Sequence, residues 1–294
     1  MAPVNNIPTG YFPDNTTGLR HPKSAPKMLD SFLISIFSAH ESSSTGTVSR
    51  NDTAKTTQLT RRSMKQKYIL YQSDNGPCPY LPDRRWMTHS FYADTLSPAF
   101  YECLTAKGFR RSGQAFYQNH CPDCAACLPI RINVQRFSPS RSQRRVLTKN
   151  LDISYTRCRA VFESRDFELY AKYLRHRHPE SPNTTREGYV SFLIESPIQT
   201  EIMRYHLKGH LVGLGWIDLM PTSLSSVYFA FDPEFSSRSL GTYSILQQIK
   251  LAQRLGKEWL QLGFWVAASQ KMSYKRNFRP CEILVRKRWK ELSG

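Results

Sequence analysis

One segment of the chain, from Ser226 to Val266, restricts the possible folds more than any other. It begins with the apolar run SVYFAFD and ends with the apolar run WLQLGFWV, and both predict strands. Between them, apolar residues recur every three positions from Leu240 to Leu255, just before Gly256. This spacing predicts an amphipathic helix that ends at the glycine. A strand, a helix and a strand in this order favour a parallel, right-handed crossover, so the sequence predicts an α/β fold.

Two further apolar runs precede this crossover and extend the predicted sheet. EIMRYH at Glu201–His206 and LVGLGWIDLM at Leu211–Met220 are separated by a Lys-Gly turn, and a Pro-Thr-Ser turn follows the second run. Runs of this length between turn residues are typical of an antiparallel meander. We therefore expect a mixed sheet, in which the meander supplies antiparallel strands and the crossover adds a parallel one.

The composition changes along the chain. Half of the residues from 41 to 60 are Ser or Thr, without the apolar repeat that a buried helix or strand requires. We therefore divide the chain into a disordered extension at 1–63, a small Cys-rich domain at 64–135, a basic connecting segment at 136–160 and an α/β domain at 161–294. The longest uncharged apolar stretch has nine residues, at 31–39, far fewer than the roughly 20 of a membrane-spanning helix. This length argues against an integral membrane protein.

The charge of the chain indicates an anionic partner. There are 41 Lys and Arg residues against 23 Asp and Glu residues, a formal net charge of +18. The cations concentrate in two runs, 136–159 and 271–290, and the second run also contains aromatic residues. Cations neutralise phosphates and aromatic rings stack on unpaired bases, so this composition suits a single-stranded RNA end. The sequence has no Gly-Lys-Ser/Thr phosphate loop and no nucleophile elbow, which disfavours ATP hydrolysis and ordinary hydrolase chemistry.

Four cysteines have the spacing of a metal site. Cys121, Cys124 and Cys127 follow one another at two-residue gaps, and Cys78 lies some forty residues earlier. Thiolates at this spacing can converge on zinc or an iron–sulfur cluster. The alternative is a set of reduced, partly buried cysteines in a small domain. The total of seven cysteines is odd and suits a reducing compartment, so we expect a cytoplasmic protein.

The turn before the predicted helix can bind an anion, because a helix N-terminus offers free amides and a positive dipole. Its sequence, RSLGTY at 238–243, resembles the Arg/Gln-x-x-Gly-x-Gly/Ala loop with which acetyltransferase-like folds hold the pyrophosphate of coenzyme A. Tyr243 stands where that loop has a tiny residue, which argues against coenzyme A. The alternative for this turn is an ordinary helix cap.

Two titratable residues are candidates for acid–base chemistry. Asp218, in GWIDLM, can accept a proton or orient an amine, although an Asp in this position is as often a turn residue. His178, in LRHRHP, can act as a base, but a histidine at a helix end beside two arginines is more often an exposed cation.

Several motifs together carry a family resemblance. In chain order they include CPYLPDR, CPDCAACLPIRI, FSPSRSQRRVLTKN, YLRHRHP, FDPEFSSRSLGTYSILQQIKLA and KMSYKRNFRPCEIL. From about Tyr68 to Leu292 the chain resembles the bacterial aspartate/glutamate leucyltransferases, relatives of the eukaryotic arginyl-tRNA–protein transferases. The resemblance implies an acetyltransferase-like (GNAT-like) C-terminal domain with a mixed sheet. It also implies transfer of leucine from leucyl-tRNA to the α-amino group of proteins that begin with Asp or Glu, which marks them for degradation by the N-degron route.

On this basis we assign expected roles to individual residues. The residues expected to contact tRNA are Arg141, Arg144, Arg145, Lys149, Lys271, Lys275 and Arg276. The residues expected to pair with the acidic side chain of the substrate are Arg131, Arg177 and Arg279, because a guanidinium binds a carboxylate bidentately. Asp218 is expected to bind or deprotonate the incoming ammonium, with Tyr274 as polar support. The backbone at Gly241 is expected to stabilise the ester carbonyl.

Other interpretations remain open on the sequence alone. The amino-acid donor can be arginyl-tRNA instead of leucyl-tRNA. A non-catalytic RNA-binding protein with a metal-stapled domain would show the same charge pattern, and a coenzyme A acyltransferase is disfavoured by Tyr243. We expect the transfer chemistry to require no cofactor, whether or not zinc or an iron–sulfur cluster occupies the cysteine set.

Overall fold

The computed structural model describes residues 27–28, 32–34, 66–178 and 181–293. Most of the predicted disordered extension at 1–63 lies outside these residues. Its described parts are two short strands, β1 (Lys27–Met28) and β2 (Phe32–Ile34). β2 pairs with β3 (Gln66–Tyr68) in a two-stranded sheet. Within the described ranges, no helix is both long and apolar enough to span a membrane.

A five-stranded antiparallel sheet has the strand order β1-β4-β5-β7-β6. Its later strands are β4 (Tyr71–Pro77), β5 (Arg85–Tyr92), β6 (Arg110–Ser112) and β7 (Ala115–Asn119). The helix α1 (Pro98–Ala106) begins where the Ser97 side chain accepts a hydrogen bond from the amide of Phe100 at 3.2 Å. It packs on the sheet through Tyr101, whose ring meets that of Phe116 edge-on at 5.3 Å.

The second sheet has eight strands in the order β15-β14-β8-β13-β12-β11-β10-β9. They are β8 (Leu128–Asn133), β9 (Ile153–Arg159), β10 (Thr200–Leu207), β11 (His210–Leu219), β12 (Ser223–Phe231), β13 (Trp259–Trp265), β14 (Cys281–Val285) and β15 (Arg288–Glu291). β10, β11 and β12 form the expected meander, and β12 and β13 are parallel. The predictions of a meander, a parallel crossover and a mixed α/β sheet are confirmed.

The helices pack on this larger sheet. They are α2 (Arg141–Lys149), α3 (Ser164–Arg177), α4 (Arg186–Tyr189), α5 (Leu240–Arg254) and α6 (Gln270–Ser273). A π-helical turn, Val190–Ile194, extends α4, and short 3-10 segments occupy Pro182–Thr184, Pro233–Arg238 and Tyr274–Asn277. α5 is the crossover helix and contacts β12 and β13, α3 contacts β11 and β12, and α2 lies against α5.

One strand links the first part of the chain to the larger sheet. β8 directly follows the segment from Cys121 to Cys127, which we call the cysteine loop, and it hydrogen-bonds on one side to β13 and on the other to β14. Ile130 and Ile132 of this strand belong to the main hydrophobic core. The boundaries of the predicted Cys-rich domain at 64–135 and of the connecting segment at 136–160 remain predictions.

Candidate functional site

The parallel strands β12 and β13 separate after a short stretch of pairing. Three residues of each strand are in register, from Ser223 to Ser225 on β12 and from Trp259 to Gln261 on β13. Beyond these residues, β12 stays paired with β11 and β13 stays paired with β8. We call the resulting gap the strand cleft. It opens at the carboxyl ends of two parallel strands, which is the usual position of a ligand site in an α/β sheet.

The base of the strand cleft is occupied by Arg110 of β6. This side chain is buried, and its guanidinium donates hydrogen bonds to Oγ of Ser225 at 3.1 Å and to the carbonyl of Ser226 at 2.7 Å, both on β12. On the β13 side, Gly263 has a φ of +76°, and a Cβ atom there would lie 3.4 Å from the Arg110 guanidinium. Arg110 therefore fills the space between the two strands where their ladder ends.

Lys275 binds the β13 wall of the same cleft. Its Nζ donates to the carbonyls of Leu262 and Phe264, both at 2.8 Å, and the residue is 1% exposed. Burial, together with the nearby charge of Arg110, lowers the pKa of Lys275 to about 7. This position is a correction to the expected tRNA contact, because Lys275 has no surface from which to reach a phosphate.

Cations gather at the open end of the strand cleft. Tyr173 of α3 packs on Phe231, the last residue of β12, with ring centroids 5.2 Å apart, and on His178 at 6.5 Å. Burial lowers the pKa of His178, and the charges of Lys271 and Arg177 lower it further. Arg177 and Lys271 come from the end of α3 and from α6, so the fold brings together one expected substrate contact and one expected tRNA contact. His178 follows Arg177 directly and lies within electrostatic reach of Lys271.

The helix α2 lies beside the same end of the strands. At its start, the side chain of Gln143 donates to the carbonyl of Asn277 at 3.0 Å, and Ser140 and Gln143 form a reciprocal capping box. At its end, Lys149 Nζ donates to the carbonyl of Ser237 at 2.7 Å. α2 thus joins the segment after β13 to the segment before α5. Lys149 is occupied by this contact.

Three of the expected tRNA contacts on α2 remain directed at solvent. Arg141, Arg144 and Arg145 are all exposed. The Arg144 guanidinium also donates to the carbonyl of Pro139, at 2.6 Å. The fold therefore presents a row of cations next to the strand cleft, in a position to meet the phosphates of a polyanion.

The side chains in and just after the turn before α5 make hydrogen bonds to other parts of the chain. Arg238 donates to both carboxylate oxygens of Asp152, at 2.7 and 2.9 Å. Tyr243 points away from the turn, and its hydroxyl donates to the carbonyl of Ile153 at 3.2 Å. Gly241 is buried in the first turn of α5. An arginine and a tyrosine held in this way do not form the pyrophosphate grip of a coenzyme A site.

The comparisons with known proteins agree on one family. A family model described as Arginine-tRNA-protein transferase, N terminus, matches residues 76–145, and one described as Arginine-tRNA-protein transferase, C terminus, matches residues 165–285. The aspartate/glutamate leucyltransferase of Marinobacter nauticus is 42% identical over 230 residues, which are 76% of this chain and 96% of the relative. The chain belongs to the aspartate/glutamate leucyltransferase family. The resemblance indicated by the sequence motifs is confirmed.

Two other leucyltransferases are similarly close. The relative from Pseudoalteromonas atlantica is 40% identical over 75% of this chain and 96% of its own length. The relative from Pseudomonas putida is 38% identical over 76% of this chain and 97% of its own length. Among solved structures, FemX matches with 11% identity and a TM-score of 0.38, over 70% of this chain and 77% of that chain, which is too distant to assign a fold class.

The two regions that the family models match both contribute to the strand cleft. Residues 76–145 contain Arg110 and the first half of α2. Residues 165–285 contain β12, β13, α6 and the end of α3. The cleft therefore lies in the part of this chain that the two family models match.

Asp218 has a different environment from the one that its expected role requires. Its carboxylate is fully buried and accepts two hydrogen bonds from Arg111, at 3.0 and 2.7 Å. Thr200 Oγ1 donates to the same carboxylate at 2.6 Å. These partners leave Asp218 no access to an incoming ammonium. We therefore assign Asp218 a structural role in this leucyltransferase-family chain, as a correction to the expected catalytic one.

Arg131 is also engaged within the chain. Its guanidinium donates twice to Oε2 of Glu282, at 2.9 and 2.6 Å. It also lies between two indole rings, 3.7 Å from the centroid of Trp259 and 4.3 Å from that of Trp289. This is a third correction, because a guanidinium held between two rings and a carboxylate is not available to a substrate's acidic side chain.

The remaining expected residues follow α6. Tyr274 is largely buried, and its ring meets that of Phe278 edge-on at 6.5 Å. Arg279 is exposed, and its Nε donates to the carbonyl of Arg276 at 3.3 Å. Of the three arginines expected to bind the substrate's acidic side chain, Arg177 is the one that the structure brings beside His178.

The four cysteines line one small cavity of about 40 Å³. Burial raises the pKa of Cys127 to about 12, and the neighbouring thiols of Cys78, Cys121 and Cys124 add to this effect. Within residues 66–178 and 181–293, however, no three such side chains are arranged to hold a metal ion. The thiols are neighbours but do not converge as ligands. The metal site therefore remains a prediction, and no step of the chemistry is derived from it.

Proposed function

We propose that this chain transfers leucine from leucyl-tRNA to the free α-amino group of proteins that begin with Asp or Glu. The observation that carries the proposal is the 42% identity to an aspartate/glutamate leucyltransferase, over 96% of that relative's length. The strand cleft lies within the shared region. We further propose that the C-terminal part is acetyltransferase-like, since a meander, a crossover helix and a pair of diverging parallel strands support that architecture.

The reaction is the aminolysis of an activated ester. The attacking amine must lose a proton, and it must lie about 3 Å from the ester carbonyl. His178 is the residue best suited to accept this proton. It lies at the open end of the strand cleft, and its lowered pKa keeps the imidazole neutral near pH 7. This role replaces the one expected for Asp218.

The substrate's acidic side chain fits the cations next to His178. Arg177 is exposed at the end of α3 and can offer a carboxylate two parallel hydrogen bonds. Lys271 adds a second positive charge near the histidine. A carboxylate held by Arg177 would place the α-amino group of the same residue near His178.

The aminoacyl-tRNA fits the surface of α2. The exposed side chains of Arg141, Arg144 and Arg145 stand beside the carboxyl ends of β12 and β13. Phosphate contacts fix the position of a nucleic acid without reading its sequence. Binding along α2 would bring the aminoacylated end to the strand cleft, where the buried amide of Gly241 remains our proposed donor to the ester carbonyl.

A transfer assay tests the proposal directly. Purified protein is incubated with radiolabelled leucyl-tRNA and with peptides that differ only in their first residue, Asp, Asn, Glu, Gln or Lys. We expect label on the Asp and Glu peptides, and much less on the isosteric amides, because Asn and Gln remove only the charge. Binding of tRNA without a labelled peptide would contradict the proposal and support a non-catalytic RNA-binding protein.

Arginyl-tRNA is the second candidate donor. The family models that match both parts of the chain are described as arginine-tRNA-protein transferase. The same peptides are therefore incubated with arginyl-tRNA in parallel. Faster transfer from arginyl-tRNA would overturn leucine as the donor, while leaving the acceptor site as proposed.

Zinc or an iron–sulfur cluster at the cysteine cavity is a separate proposal. A bound ion would link Cys78, just after β4, to the cysteine loop, and would contribute to folding rather than to the transfer step. Metal analysis of the purified protein and of a Cys124→Ser variant tests it. Equal metal content in the two proteins, or none in either, would contradict a site made by these four thiols.

A further inference from the structure

A large groove lies along one side of α5, away from the strand cleft. Its volume is about 680 Å³, and it is bounded by the end of α2, the edge strand β9 and the side of α5 from Tyr243 to Leu255. The helix advances by twelve residues from Tyr243 to Leu255, at a rise of about 1.5 Å each, which makes the groove roughly 18 Å long. It begins beside the last turn of α2, so it continues the cationic surface that starts at Arg141.

All of the charged residues that line the groove are cations. Arg157, Lys250 and Arg254 line it, and none of the thirteen lining residues is an acid. Arg157 pairs with Glu201 at 2.8 Å. Lys250 and Arg254 are exposed and have no carboxylate partner in the described part of the chain. Two positive charges in a concave surface without a compensating acid favour an anionic ligand.

The groove also offers flat and apolar contacts. The half-buried ring of Tyr155 lines the groove, and the Arg254 guanidinium lies 6.0 Å from the centroid of that ring and donates to its hydroxyl. At the two ends, Leu151 is 82% exposed and Leu255 is 38% exposed. An aromatic ring flanked by cations is the arrangement with which proteins bind unpaired nucleotides, since the ring stacks on a base while the cations meet phosphates.

We propose that this groove is a second contact site for the aminoacyl-tRNA, which binds backbone phosphates and an unpaired base at a distance from the reacting ester. The inference rests on the proposed function for the identity of the RNA. The groove binds the tRNA away from its aminoacylated end, whereas the aminoacyl ester reacts in the strand cleft. α2 connects the two, because its last turn borders the groove and its ends are fixed beside the cleft.

The test is a double charge reversal in the groove, Lys250→Glu with Arg254→Glu. Its matched control is Arg288→Glu with Lys290→Glu, which changes the net charge equally at exposed positions on β15, the opposite edge of the eight-stranded sheet. Affinity for tRNA is measured at several salt concentrations. We expect the groove variant to bind tRNA at least about tenfold more weakly near 0.1 M salt. The slope of log affinity against log salt concentration should be smaller in magnitude by about 1.4 to 1.8, because two phosphates are no longer neutralised.

The control variant should differ from the parent by less than about twofold. Within the cationic run 271–290 the residues assigned to tRNA are Lys271 and Arg276, whereas Arg288 and Lys290 lie on β15 and carry none of the proposed phosphate contacts. Equal binding by the groove and control variants would overturn the proposal. So would a groove variant that binds tRNA normally but has a raised KM for the acidic peptide, since the groove would then accept a protein. Lys250→Arg, which keeps the charge, should retain the affinity of the parent.

A minimal donor separates this inference from the proposed function. A leucylated short oligonucleotide with the terminal unpaired nucleotides of tRNA reaches the strand cleft without filling the groove. The groove variant should use this donor as well as the parent does, and should use full-length leucyl-tRNA less well. If the parent transfers leucine from neither donor, the proposed function fails, while the tRNA-binding measurement still decides the role of the groove.

Discussion

Arg111 and Asp218 form a fully buried, bidentate ion pair between β6 and β11, with N–O distances of 3.0 and 2.7 Å. Arg111 also donates to the carbonyl of Gly113, at 2.9 Å. The pair therefore ties the smaller sheet to the larger one. Removing one partner leaves an uncompensated charge in the interior, which is much more costly than losing an exposed pair.

We expect Asp218→Asn to lower the free energy of unfolding by about 3 to 5 kcal/mol. Chemical denaturation measures this effect, and Asp94→Asn, at an exposed carboxylate, is the control. The transfer rate per folded molecule should stay within a few-fold of the parent. A stable Asp218→Asn protein without transfer activity would instead restore a catalytic role for Asp218.

The pH dependence of transfer should report His178. Its pKa is lowered by burial and by the charges of Lys271 and Arg177, so the neutral base forms below the usual histidine range. kcat/KM should therefore rise with pH through this lowered pKa and level off near neutrality. Lys271→Gln removes one of the two charges and should move the acid limb to higher pH. Lys290→Gln is the control, and an acid limb that does not move would argue against His178 as the base.

Substitution of Arg177 should change the recognition of the acceptor. Loss of a charge-assisted hydrogen bond costs about 1.5 to 3 kcal/mol, which corresponds to roughly a 10- to 150-fold rise in KM for Asp and Glu peptides. We expect this rise for Arg177→Gln, with little change in the KM for leucyl-tRNA. Arg175→Gln, at an exposed position on the same helix, should behave as the parent. Equal losses for Asn and Asp peptides would show that Arg177 does not bind the carboxylate.

Charge reversal on α2 should weaken the binding of tRNA and leave the binding of the acidic peptide unchanged. Arg144→Glu with Arg145→Glu should raise the KM for leucyl-tRNA and reduce the salt slope of binding by about 0.7 to 0.9 for each phosphate that is no longer neutralised. The KM for the acidic peptide should not change, because the peptide meets Arg177. The β15 double variant again serves as the control. An unchanged salt slope would place the tRNA elsewhere.

Local patterns in the sequence were sufficient to predict the centre of the larger sheet, the strands β10 to β13 with the helix α5, but not its outer strands β9, β14 and β15 or the inserted strand β8. The period of three in α5 and the turns of the meander are short-range signals, and the structure confirms both. α2 carried a readable signal as well, since Ser140 followed by Gln143 matches a capping box. The segment was nevertheless predicted as a basic connection, because its charges mask the weak apolar periodicity.

The site residues depended on contacts that no local pattern contains. Asp218 meets Arg111 across 107 positions, and Arg131 meets Glu282 across 151. Each pair converts a residue with suitable chemistry into a structural one. No sequence pattern pointed to Arg110 as a site residue, because its role arises only where β12 and β13 separate. The role of His178 could not be predicted without knowing that the fold brings Lys271, which lies much later in the sequence, near it.

The position of β8 has a consequence for the synthesis of the protein. This strand leaves the ribosome early, but its two neighbours, β13 and β14, begin at Trp259 and Cys281. At about 5 to 20 residues per second, roughly 6 to 25 s pass between the synthesis of Asn133, at the end of β8, and that of Trp259, and both edges of β8 are unpaired during this time. Unpaired strands of this kind are sites of aggregation. A nascent chain is therefore exposed to aggregation until β13 and β14 have emerged, and a product truncated before β13 can neither pair β8 in the larger sheet nor form the strand cleft.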